Sequence, residues 1–407
     1  MQNWCMSIVY YRRSIETRLQ IAREQFPAVL VTGARQAGKS TLLRQTSPEC
    51  RYVSLDDPAQ RALAQNDPRL FLSAYPPPAI VDEIQYAPGL LPYLKMWIDE
   101  HRRWHGQYLL TGSQTFQLME GVSETLAGRI AILRLYPFNW LEMQSMPGAN
   151  QELAKDDGKM ADEVVRGFYP EFFVNPALDK DLWFSSYLAT YLERDVRNIK
   201  RISDLARFQT FVSLLATRAG SLLNMSELSK EVGITQPTAK DWITILESTS
   251  IVYLLRPYHQ NLTKRLVKTP KLYFVDTGLL CYLLGIHSGE RLMKAAERGR
   301  VFENMVVLEA LKRFSARSTP VKFFFYRTPA GVEVDLLIEM ESDFYAFEIK
   351  LAKTIDRRMA SGLIGLQQTK AFKTGRILSL QETAVPITES IMATHWLEGL
   401  DVLESGK

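Results

Sequence analysis

Gly33, Gly38, Lys39 and Ser40 stand at the spacing that phosphate chemistry requires. The segment Gly33-Ala34-Arg35-Gln36-Ala37-Gly38-Lys39-Ser40 fits G-x-x-x-x-G-K-[ST]. In such a loop the backbone N–H groups point at nucleotide phosphates, the lysine reaches the β- and γ-phosphates, and the hydroxyl ligates Mg²⁺. Gly33 to Ser40 and the following Thr41 are therefore the expected binders of a nucleoside triphosphate, with Lys39 also acting in catalysis. ATP is favoured over GTP, because no Asn-Lys-x-Asp guanine-reading segment occurs. A second element lies downstream, where Ala79-Ile80-Val81 runs into Asp82-Glu83. Asp82 would hold Mg²⁺, and Glu83 would orient or deprotonate the attacking water. Two acids at a strand end are common on their own; paired with the loop they become specific.

Further polar residues fall where neighbouring elements should end. Tyr108-Leu109-Leu110-Thr111-Gly112-Ser113 reads as a strand whose tip could sense the γ-phosphate through Ser113 or Gln114, or be an ordinary turn. A helical stretch from Thr115 to Leu126 closes with Ala127-Gly128-Arg129. In a ring of subunits Arg129 could face the neighbour's nucleotide and neutralise charge in the transition state. Arg134 and Arg35 compete for that role, and a solvated arginine favourable to the helix dipole is the plain alternative.

The elements that must position these groups follow from hydrophobic runs. Ala28 to Thr32 is a short apolar strand feeding the loop, and Thr41 to Gln45 opens the helix whose N-terminus favours an anion. Strand and helix alternate up to about Gln144, an α/β pattern expected to form a parallel sheet. Ser145-Met146-Pro147-Gly148-Ala149-Asn150 reads as a linker. The expected partition is 1–145 for the nucleotide-binding core, 160–290 for a mainly helical middle and 298–407 for a second α/β domain.

The middle region holds a candidate helix-turn-helix. Ser226 is a candidate cap for a helix carrying Leu228 and Val232, Gly233 makes the turn, and Pro237 starts a helix with Ala239, Trp242, Ile243 and Leu246 on its buried stripe. Thr235, Gln236, Thr238 and Lys240 would then face base edges. Ile251–Leu255 and Leu272–Val275 read as a wing hairpin. Arg256, Lys264, Arg265, Lys268 and Lys271 lie along it, suited to phosphates. If those lysines pair instead with the chain's own acids, DNA contact weakens.

The last region carries a second possible chemistry. Asp335 sits in a strand and Glu348-Ile349-Lys350 ends the next one, with Glu348 and Lys350 on one face. That is the arrangement of PD-(D/E)xK nucleases. There, Asp335 and Glu348 would hold Mg²⁺, Lys350 would position water or stabilise developing charge, and Glu303 could complete the metal site. Glu333 is also within reach. Charged residues at strand ends are common, and such folds also serve binding alone.

Composition frames these motifs. The chain has 407 residues, 46% hydrophobic content and a net charge of +4, which permits nucleic-acid binding without demanding it. No apolar run approaches the roughly 18 residues that span a bilayer. The start lacks an apolar segment with a cleavage site. Cys5, Cys50 and Cys281 are scattered without metal spacing, as in a reducing cytoplasm. A cytoplasmic protein without membrane contact is expected.

Jointly these segments resemble the AAA+ ATPases of bacteria and archaea that carry a C-terminal domain of unknown function. The phosphate loop, Val81-Asp82-Glu83-Ile84-Gln85, Leu110-Thr111-Gly112-Ser113 and Leu126-Ala127-Gly128-Arg129 carry the resemblance. So do Gly167-Phe168-Tyr169-Pro170-Glu171, Tyr191-Leu192-Glu193-Arg194-Asp195-Val196, Phe274-Val275-Asp276-Thr277-Gly278-Leu279, and Val332-Glu333-Val334-Asp335 with Glu348-Ile349-Lys350. The resemblance implies a core sheet of order 5-1-4-3-2, a winged-helix middle and a restriction-endonuclease-like end. It also implies Lys39 and Ser40 at phosphate and Mg²⁺, Asp82 and Glu83 as the acidic pair, Arg129 as a finger and Arg194 as the lid's sensor arginine. The expected activity is ATP hydrolysis with Mg²⁺, acting on duplex or branched DNA as a homo-oligomeric ring such as a hexamer. A nucleotide-gated scaffold that switches protein partners is the alternative.

Overall fold

The computed structural model describes residues 10–112, 121–122, 124–150, 152–191, 204–258, 269–328, 331–368, 370 and 372–405. Ser113, Gln114, Arg194, Lys264, Arg265, Lys268 and Cys5 lie outside them. Two compact units result: one holds 1–149, 169–177 and 248–250, and the other holds 150–168, 178–247 and 251–407.

The first unit is built on a parallel sheet of β1 (Ala28–Gly33), β2 (Arg51–Ser54), β3 (Ala79–Asp82), β4 (Tyr108–Thr111) and β5 (Ile130–Leu135). Its order is β2-β3-β4-β1-β5, the order the family resemblance implies, read from the other edge. Every pairing is parallel, so helical crossovers cover the sheet. Burial on both faces explains why β1, β3 and β4 are wholly buried apolar runs rather than alternating ones. Leu30, Val81 and Leu110 pack with Phe71, Leu94 and Ile98 in one core. Helix starts obey local rules: Asp57 caps Pro58–Asn66, with proline at its first position, and Asn139 with Glu142 forms a capping box on Trp140–Gln144.

The second unit combines short helices with one mixed sheet. Helices Leu205–Ala216, Met225–Val232 and Gln236–Ser248 pack through Trp242, whose ring meets Phe208 at 5.1 Å and Phe211 at 5.2 Å. Ser226 is not the cap: Asn224 accepts from the Glu227 N–H and starts its helix two residues earlier. Gly233 takes the left-handed turn at φ 73°.

Strands β6 (Val252–Pro257) and β7 (Lys271–Phe274) are antiparallel, as a wing would be. They do not stand apart. With β8 (Val321–Arg327), β9 (Glu333–Met340), β10 (Asp343–Ile349), β11 (Thr374–Ser379), β12 (Val385–Pro386) and β13 (Ile391–His395) they make an eight-stranded sheet of order β12-β13-β11-β10-β9-β8-β6-β7. The join is a parallel pairing of Arg256 and Pro257 with Phe324 and Phe325. Helix Arg298–Ser315 precedes β8. Helix Ser361–Gln367 lies between β10 and β11, packing Leu363 and Leu366 on Val334, Leu337 and Ala346.

Two sequence segments meet where Asp276, 1% exposed, accepts from the Phe168 N–H at 2.7 Å and caps the helix at Leu279. Gly278 and Gly167 must both be glycine there, since a Cβ on Gly278 would lie 2.7 Å from the Gly167 Cα.

Candidate functional site

The phosphate loop leaves β1 at Gly33, whose φ of 139° and close approach to β5 exclude a side chain: a Cβ would fall 1.9 Å from the Leu135 carbonyl oxygen. Gln36 at φ 61° and Gly38 at φ 91° turn the chain into the helix Lys39–Thr46. Lys39 is buried, and its ammonium donates to the carbonyls of Gly33 at 3.1 Å and Ala34 at 2.9 Å. It therefore lies folded over the loop, in reach of any anion the loop would take.

Ser40 and Asp82 are brought together although far apart in sequence. The Ser40 hydroxyl donates to Asp82 Oδ1 at 2.6 Å. The Thr111 hydroxyl donates to the same oxygen, and the Tyr52 hydroxyl donates to Oδ2 at 2.9 Å. Burial and the Asp82 charge push the Tyr52 phenol up to about 12, so it stays a donor. The donors present, a hydroxyl and a carboxylate beside a phosphate loop, are the hard oxygens Mg²⁺ prefers.

Glu83 follows at φ 61°, a conformation rare outside glycine, with its N–H held by the Thr111 hydroxyl at 3.0 Å. Its carboxylate accepts from the Gln85 amide. Arg129, by contrast, lies on a bidentate pair with Asp99, at 2.7 and 3.1 Å. Arg134 lies on β5 and Arg35 within the loop; the expected γ-phosphate sensor, Ser113 or Gln114, and the expected lid arginine, Arg194, fall outside the described residues.

Three contributors escaped the sequence reading. Tyr52 and Thr111 converge on Asp82 only because β2, β3 and β4 are neighbours. The third is Arg13, 6% exposed, which donates to the Ala37 carbonyl at 3.0 Å and to the Tyr136 carbonyl at 2.6 Å, and pairs with Glu142 at 3.3 Å. Its guanidinium covers the Phe138 ring at 4.5 Å. Nothing in the run Tyr10-Tyr11-Arg12-Arg13 marks one arginine as buried. Arg13→Ala is expected to destabilise the first unit by about 3–5 kcal/mol, because Glu142 loses its buried partner. It should also raise the KM for ATP by loosening the loop at Ala37. Denaturant melts and a KM against kcat comparison check both.

In the second unit, Glu303, Asp335, Glu348 and Lys350 do come together, around a residue expected on the DNA-facing wing. Lys271, its side chain 4% exposed, lies 2.7 Å from Glu333, 3.2 Å from Glu303 and 3.2 Å from Asp335. Asp335 Oδ2 accepts from the Ile349 N–H at 2.9 Å and lies 3.4 Å from the Lys350 ammonium, which sits 2.6 Å from Glu348. Tyr273 donates to Glu303 at 2.7 Å, and Arg327 lies 3.1 Å from Glu333.

Burial opposes the charge on Lys271, but Tyr273, Glu303, Asp335 and Glu333 outweigh it and hold the ammonium protonated above its ordinary range. Burial also disfavours ionised Asp335, yet Lys271 and Lys350 bring its carboxyl below the usual value. Burial, then the Asp335 charge, raises Glu303, and the same two causes push Glu348 up to about 8.

A divalent cation does not fit this arrangement. Among the described residues no group of three or more His, Cys, Asp or Glu side chains is placed to hold a metal. At roughly 4 Å from the Lys271 ammonium, Mg²⁺ would meet about 8 kcal/mol of repulsion at an effective dielectric of about 20. The expectation of metal at Glu303, Asp335 and Glu348 thus meets a lysine instead.

The Glu348 shift carries a pH signature. A carboxyl raised on folding stabilises the fold fully below its unfolded value near 4.5, and that contribution fades as pH rises through about 8. Glu348→Gln removes the titration. The stability difference between wild type and variant should move against wild type, on the order of a few kcal/mol, between those limits. Urea melts at several pH values read it.

Comparisons with known proteins agree with the first unit's architecture. Residues 25–144 match the family described as AAA domain, residues 158–290 a domain of unknown function, DUF8612, and residues 298–397 another, DUF4143. Uncharacterized proteins of Mycobacterium bovis and Mycobacterium tuberculosis are each 31% identical over 397 residues, covering 96% of this chain and 84% of theirs. Among solved structures, the Walker-type ATPase PabY2304 of Pyrococcus abyssi is 14% identical with a TM-score of 0.44, covering 68% of this chain and 96% of that one, a distant likeness. No helix among the described residues is long and apolar enough to cross a membrane. With its phosphate loop, its sheet order and matches along its length, the chain belongs to the AAA+ ATPases that carry a C-terminal domain of unknown function.

Proposed function

We propose that this protein hydrolyses ATP with Mg²⁺ and uses the cycle to act on DNA as a homo-oligomeric ring. The observation that carries the hydrolysis is the convergence of the Ser40 hydroxyl on Asp82 at 2.6 Å, with Glu83 next along the chain. Ser40 and Asp82 would hold Mg²⁺, which neutralises charge on the β- and γ-phosphate oxygens when bound. Lys39 exchanges its two carbonyl partners for phosphate oxygens. Glu83, fixed by Thr111 through its N–H, orients and deprotonates the attacking water. Arg129 serves a neighbouring subunit only by giving up Asp99.

DNA contact rests on a smaller set than the sequence suggested. Gln236, Lys240 and Arg256 are exposed, and among the described residues Arg256 faces one distant acid, Glu247 at 3.9 Å. The Thr235 hydroxyl caps the helix through the Thr238 N–H at 3.2 Å, and Lys271 faces inward. That inward lysine favours the second reading, a nucleotide-gated regulator of protein partners.

Steady-state ATP hydrolysis, alone and with single-stranded, duplex and four-way-junction DNA, separates the two. Stimulation by one DNA form, absent in Lys39→Ala, is expected. Hydrolysis indifferent to every DNA, without binding at low salt, would leave the regulator.

A further inference from the structure

We infer that the carboxylate cluster of the second unit is closed by the chain's own cation. Lys271 Nζ holds the position that the nuclease-like arrangement reserves for a divalent ion, so this site takes no metal and cuts no DNA. The lysine pins β7 to β9 and to the helix Arg298–Ser315 instead.

Nearly every oxygen a metal would need is spent. Asp335 Oδ1 faces Lys271, and Oδ2 takes the Ile349 N–H and Lys350. Glu303 Oε1 takes Lys271 and Tyr273. Glu333 divides its two oxygens between Lys271 and Arg327. Glu348 gives Oε1 to Lys350, leaving its buried Oε2 without a partner. That leaves Glu303 Oε2 and Glu348 Oε2, beside an ammonium whose charge repels a divalent ion. Lys271, its side chain 4% exposed, cannot relax into water to make room, whereas Lys350 is one third exposed.

The inference is independent of ATP hydrolysis and is tested on the full-length, nucleotide-free protein. Fe²⁺ replaces Mg²⁺, and ascorbate with peroxide then cuts the backbone beside bound iron. Fragments ending within 333–350 should be absent in wild type and in Lys271→Arg. Folded Lys271→Met should acquire them, with Mn²⁺ affinity rising at least about 10-fold as the ammonium's repulsion disappears. Should Lys271→Met fail to fold, the wild-type map decides alone. Iron cuts within 333–350 in wild type, or nicking of supercoiled plasmid that Asp335→Asn abolishes, would overturn the inference. A folded Lys271→Met without new cuts would overturn it too, since the carboxylates would then not be a cation position at all.

Discussion

Glu83→Gln is expected to lower ATP turnover by about 10²–10⁴-fold while leaving ATP affinity within a few-fold, the signature of a lost general base. The two effects separate because Glu83 lies outside the loop that binds phosphate. Its backbone conformation at φ 61° is anchored by Thr111, so the isosteric amide keeps the geometry and loses only basicity. Lys39→Ala differs in kind, since it removes a ligand of the phosphates and should raise the apparent dissociation constant as well. Binding of a fluorescent ATP analogue beside single-turnover hydrolysis distinguishes the two variants. Undiminished turnover in Glu83→Gln would move the base elsewhere.

The second large effect is on stability. Lys271→Met should cost about 3–5 kcal/mol near pH 7.5, because Glu303, Glu333 and Asp335 are left buried or half-buried around an apolar side chain. The sign of its pH dependence follows. Without the ammonium the three carboxyls are raised on folding, so their contribution is present at low pH and fades as pH rises. The deficit should shrink toward pH 5. Hydrogen exchange at the Ile349 amide, bonded to Asp335, reports this locally where global unfolding of two units need not be two-state. Lys271→Arg, which keeps the charge, should recover most of the loss. A Lys271→Met protein as protected as wild type at pH 7.5 would mean the cluster is already neutral.

How much of this could be read beforehand depends on sequence separation. The phosphate loop is legible because its chemistry is contained in adjacent residues, and Asp82-Glu83 because it ends an apolar strand. The sheet order followed from the resemblance, not from periodicity. Tyr52 was not legible, since its role depends on β2 lying beside β3. Lys271 was misleading: a lysine among other basic residues reads as solvated, and only the pairing of β6 with β8 turns it inward. Arg13 is hidden for the same reason, with partners 24, 123 and 129 positions further along the chain.

The pairing of β6 with β8 also governs how the protein can be dissected. A fragment ending near residue 290 would keep the helix-turn-helix yet strip the neighbour from β6, leaving Arg256 and Pro257 on an open edge. It would also strand Lys271 without its acids, and open edges recruit other chains. Such a fragment would be prone to self-association. Loss of activity on deleting the C-terminal region would therefore report damage to the wing, and point substitutions are the sounder way to ask what that region does.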